Sequence, residues 1–100
     1  MSEREYVLPL DMGVQVRCAH RIEKGRVVGF MVQLEVKEAS RWEHVIRYDT
    51  AHGFAHCDRY RKDGAVIKTE VHLQFNEART FAEADIRKRW RMYVKAYRGG

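Results

Sequence analysis

Between Arg41 and Tyr60 the chain gathers three histidines, three arginines, two tyrosines and two aspartates. Those residue types suit metal-independent chemistry on RNA. Such cleavage needs a base for the 2′-hydroxyl proton, an acid for the leaving oxygen and a cation for the phosphate. His52 or His56 supplies an imidazole, a side chain suited to giving or taking a proton. Arg47 and Arg59 are suited to bidentate phosphate contact, and Tyr48 or Tyr60 to stacking on a base. The competing view is that these types are ordinary on any half-solvated sheet. Asp49, His52, His56 and Asp58 also form a series of two carboxylates and two imidazoles, donors a transition metal accepts. Their spacing matches no established ligand pattern and no third strong ligand is evident, so neither a metal nor a cofactor is assigned. Asp49 and Gly53 are instead read as the structural turn. An aspartate at a turn start accepts the next backbone N–H groups, and a glycine closes the turn.

The elements that must position these residues follow from hydrophobic period. Met1–Glu5 is polar and expected to fray, and Pro9 limits Tyr6–Leu10 to a short edge strand or strap. Val14, Val16, Cys18 and His20 alternate, as a half-buried strand requires. After a turn at Glu23–Arg26, Phe30, Val32, Leu34 and Val36 share one face of the clearest strand, Val27–Lys37, where Gly29 marks a bulge or a close backbone approach. Trp42, His44, Ile46 and Tyr48 then alternate against Glu43, Val45 and Arg47. Phe54, His56, Asp58 and Tyr60 line one face of the returning strand. Asp63-Gly64 suits a two-residue hairpin loop, and Ile67, Thr69, Val71, Leu73 and Phe75 continue the period of two. The period changes after Thr80-x-x-Glu83, a capping-box pattern. Ile86, Trp90, Tyr93, Val94 and Tyr97 fall on one helical arc, and Gly99-Gly100 ends the helix. The expected fold is α+β: an antiparallel meander of about five strands in a single domain, with one long C-terminal helix packed on one face. The Phe30/Val32/Leu34/Val36 side is the better bet for that face.

The helix also carries Arg87, Arg91, Lys95 and Arg98 on an adjacent arc, a stripe that suits phosphate backbone or an acidic partner. It is equally what a solvated helix face looks like. One hundred residues with a net charge of +5 fit one domain with an anionic partner. Two distant cysteines outside any Cys-x-x-Cys pattern, no signal-peptide run and no 18-residue apolar stretch point to a cytoplasmic protein with no membrane partner and reduced thiols.

The run from Trp42 to Tyr60, followed by Asp63-Gly64, resembles the signature of the TumE-type toxins of prokaryotic toxin–antitoxin pairs and related small proteins. Trp42, Arg47, Tyr48, Asp49, His52 and His56 carry the likeness. This chain departs from the usual form in its single His-Gly pair and in the Cys57-Asp58 after His56. The resemblance implies an α+β protein with a helix-turn-helix antitoxin partner. The leading expectation is therefore a toxin-like protein that binds or acts on RNA. Arg47, His52 and His56 would form its reactive centre, and Arg59, Arg87, Arg91, Lys95 and Arg98 its nucleic-acid contacts. The rival is a non-enzymatic, homo-oligomeric interaction module using a sheet edge and the basic helix.

Overall fold

The computed structural model describes residues 1–99. Six strands, β1 (Ser2–Asp11), β2 (Val14–Glu23), β3 (Arg26–Glu38), β4 (Arg41–Asp49), β5 (His56–Tyr60) and β6 (Val66–Glu70), precede one helix, α1 (Phe75–Tyr97). The strands lie side by side in sequence order, each antiparallel to the next. The class is the α+β meander with a C-terminal helix that the hydrophobic periods predict, with six strands where about five were expected. The extra one is β1, which does not fray: it pairs with β2 from Ser2 to Asp11, with a slip at Leu10. An edge strand tolerates Pro9 because only one of its sides must supply ladder donors.

β3 shows how the sheet is layered. Phe30, Val32, Leu34 and Val36 face α1 and are buried. They meet Val14, Val16 and Cys18 of β2 and Ala78, Ala82, Ile86, Trp90 and Val94 of the helix in one apolar core. Gln33 and Glu35 point to the opposite, open face, and they too are buried. The alternation predicted for β4 fails at one place. Leu34 pairs with Ile46 and Glu35 with His44, so Val45 is an extra residue in a β-bulge. The bulge shifts the side-chain phase. Val45, Ile46 and Tyr48 therefore turn toward α1, whereas Trp42 and His44 lie on the open face with Arg47 and Asp49. Lys37 Nζ stands 5.9 Å from the Trp42 ring there.

Other local expectations are also corrected. The Lys62–Gly64 connection is a three-residue loop, with Gly64 N–H donating to Arg61 O (3.0 Å) and Arg61 N–H to Ala65 O (2.9 Å). Gly64, at φ 94°, takes the left-handed position that such a loop needs. β6 stops at Glu70, and Phe75 opens the helix rather than ending a strand. Thr80 is therefore inside α1, and its hydroxyl donates to Asn76 O (3.1 Å) instead of capping; the N-cap is Gln74. The C-cap is Arg98, with Gly99 at φ 78° just beyond it; Gly100 lies outside the described residues.

One charged group is buried in the helix layer. Asp85 Oδ2 accepts the hydroxyls of Tyr48 and Tyr93, each at 2.6 Å, and Asp85 Oδ1 accepts Arg89 Nη1 at 2.9 Å. Burial and then the bonds to Asp85 push the Tyr48 phenol far up and that of Tyr93 up to about 12. Both hydroxyls stay protonated; the Tyr48 bond bolts β4 to α1, and the Tyr93 bond holds the Asp85 carboxylate from within the helix.

Candidate functional site

The β4–β5 connection is fixed at its root by Thr50. Its Oγ1 accepts the N–H of Phe30 (3.1 Å) in the space that Gly29 leaves beside it, where an added Cβ would stand 3.5 Å away. Asp49 Oδ1 accepts Ala51 N–H (3.2 Å), Gly53 N–H donates to Thr50 O (3.1 Å), and Gly53 sits at φ 84°. Asp49 and Gly53 thus both take part in the hydrogen bonds of this connection.

Asp49 also does something the turn reading missed. It faces His56 across the β4–β5 ladder, and Arg47 lies two residues back on the same face. Its carboxylate receives Arg47 Nε at 2.5 Å on Oδ2 and His56 Nε2 at 2.7 Å on Oδ1. The His52 ring stacks on that of His56, centroids 5.5 Å apart and planes at 27°. Arg47, Asp49, His52 and His56 thus form one cluster at one end of the open face. The roles within it are unequal. His56 is buried, and its Nδ1 lies 3.4 Å from Phe54 O, so both of its nitrogens face oxygen atoms. His52 is exposed. Arg47 is about one-third exposed (36%) and lends Nη1 to Gln33 Oε1 at 3.4 Å. Its Nη2 has no acceptor among the described residues.

The cluster is the end of a polar ribbon across the sheet. Gln33 Nε2 donates to Glu35 Oε2 (2.6 Å), Gln15 Nε2 to Glu35 Oε1 (2.7 Å), and Arg17 bridges Glu35 and Glu5. Burial alone would raise the Glu35 carboxyl, but the donors Gln15, Gln33 and Arg17 outweigh it and hold it below its ordinary value. Beside the cluster a shallow cavity of about 620 Å³ opens. Arg4, Arg21 and Arg47 border it, with Glu3, Glu5 and Asp49. Among the described residues no group of three or more His, Cys, Asp or Glu is placed to hold a metal ion.

The remaining sequence candidates lie elsewhere. Arg59 points toward the helix layer, its guanidinium carbon 4.9 Å from the Tyr93 ring, so it cannot share a phosphate with Arg47. Tyr48 is sealed under α1 and cannot stack on a base. Tyr60 remains on the open face, 4.8 Å from His44. Arg87, Arg91, Lys95 and Arg98 are exposed on the helix, on the far side of the sheet from the cluster. Arg91 lies over Trp90 (4.3 Å) and Arg98 Nε lies 3.5 Å from Glu38.

The whole chain, residues 1–100, matches the family model described as Domain of unknown function (DUF7718). The chain belongs to the DUF7718 family. No curated protein and no solved structure matches it. No helix among its described residues is long and apolar enough to cross a membrane. In this DUF7718 domain two buried acids escaped sequence reasoning. Glu35 left no signal, because its position on the polar face of β3 looks like any solvated strand residue. Asp85 did leave one: it lies on the helical arc shared by Ala78 and Ala82, where a carboxylate needs partners.

Proposed function

We propose that this chain is a toxin-like protein that binds RNA through the open face at the β4–β5 connection. The observation that carries the reading is the convergence of Arg47, Asp49, His52 and His56 on one surface beside an arginine-bordered cavity. Arg47 is positioned by Asp49 and Gln33 so that its outer edge meets a phosphate, and an anchored guanidinium loses little freedom on binding. His52 offers an exposed ring for stacking or proton transfer. His56 supports it from below and orients Asp49. A cleavage step, where it occurs, runs through His52, since both nitrogens of His56 are taken up by oxygen atoms. The TumE-like run is consistent with a growth-inhibiting role in the prokaryotic cytoplasm and with a helix-turn-helix antitoxin as partner. The exposed helix stripe faces away from the cluster and serves a second contact, to that antitoxin or to distant phosphates.

The test is fluorescence anisotropy with labelled single-stranded RNA, read together with growth on expression. Arg47→Ala should weaken binding at least tenfold, and His52→Ala should abolish growth inhibition. Unchanged binding and unchanged inhibition in both variants would remove the cluster from the mechanism.

A further inference from the structure

The two edges of the sheet are defended differently. β1 carries Pro9, a register slip at Leu10 and the charges of Glu3, Arg4 and Glu5, devices that discourage further strand pairing. β6 has neither proline nor slip. All five of its residues are exposed, including Val66 (42%) and Ile67 (52%). Val71 gives its N–H to Ala55 O, and Ala65 accepts Arg61 N–H at its carbonyl. Backbone groups alternate in direction along a strand. The odd-numbered residues of β6 therefore bond to β5, and the outward N–H and C=O groups belong to Val66, Lys68 and Glu70.

We infer that β6 pairs antiparallel with β6 of a second copy about a two-fold axis at Thr69. The sequence selects this register. Centred on Thr69, Lys68 lies opposite Glu70 of the second copy, twice by symmetry, and each such pair is a hydrogen-bonded one that uses the outward backbone groups. Ile67 lies opposite Val71 of the second copy on the helix side, and Thr69 meets its own equivalent. Centred on Lys68 instead, two ammonium groups oppose each other, which is unfavourable. The charges are already presented on one face: Lys68 Nζ stands 3.6 Å from Asp58, and Glu70 stands 3.7 Å from His72 Nε2. Pairing joins two six-stranded sheets into one, with both helices on the same side. The two Arg47/Asp49/His56 clusters then share one continuous open face, with their β4 members five strand spacings, roughly 24 Å, apart.

The test is the mass of the full chain in solution by light scattering across a concentration series. Wild type should reach twice the 11.9 kDa of one chain. Glu70→Lys and Lys68→Glu should each run at the mass of a single chain, and an equimolar mixture of the two should recover the doubled mass. Thr69→Cys should form a covalent dimer under mild oxidation, because facing residues at a non-hydrogen-bonded pair are within disulfide reach; the native Cys18 and Cys57 are buried. A wild type that stays at single-chain mass up to millimolar concentration overturns the inference. So does a dimer that survives both charge reversals, or a mixture of the two variants that stays monomeric. None of these readouts depends on RNA.

Discussion

Leu34 and Glu35 are neighbours in β3, pointing to opposite faces of the sheet, and are 0% and 5% exposed. At this pair the two faces are buried to nearly the same degree by different means. On the helix side, apolar shape fills the space, and the buried carboxyl group of Asp85 is held by three donors. On the open side no second layer covers the sheet among the described residues, and side chains shield one another through ion pairs and amide hydrogen bonds that run from β1 to β5. An apolar seal has nothing to exchange with a polar ligand. A polar seal does: an incoming phosphate can take over donors of Arg47 without exposing any apolar surface. That difference is why the open face, rather than the better-packed one, is the candidate site.

Substitutions on either face separate the two kinds of burial. Leu34→Ala should cost about 3–4 kcal/mol in urea unfolding, from lost transfer and a residual cavity, with no change between low and high salt. Asp85→Ala strips three donors of their acceptor and should cost about 3 kcal/mol, since two buried tyrosine hydroxyls are left unpaired; Tyr48→Phe should recover part of that loss in the double variant. Glu35 tests the open side through pH. Its folded carboxyl lies below the ordinary value of 4.5, so its stabilisation is complete above that value and disappears as pH falls through the folded one. The stability gap between wild type and Glu35→Gln should therefore narrow on acidification below pH 4.5, whereas the cost of Leu34→Ala should stay level. The smallest effect is expected on the helix exterior, where Lys95→Ala should shift stability by less than about 0.5 kcal/mol.

How far the sequence was legible follows from the same contrast. Alternation in β2 and β3 and the helical arc of Ile86, Trp90 and Val94 are strong periodic signals, and the layers follow from them. The bulge at Val45 breaks the period locally, so Trp42 and His44 lie on the face opposite to Ile46 and Tyr48. Phe75 was read as strand because apolar residues at Val71, Leu73 and Phe75 continue a period of two across the β6–α1 junction. At the site, Arg47, His52 and His56 were legible as chemical types on one hairpin. The role of Asp49 was only half legible: its turn bond is local, but its pairing with His56 depends on ladder register. Arg59 does not accompany Arg47, because odd-numbered positions of β5 face the helix.

RNA binding at the open face is tested most directly by NMR of the Arg47 Nε–H and the loop amides from Thr50 to Gly53 during titration with single-stranded RNA. Large shifts are expected there, with the Arg87, Arg91 and Lys95 signals moving less. Shifts confined to the helix stripe, with Arg47 unmoved at saturation, would contradict it.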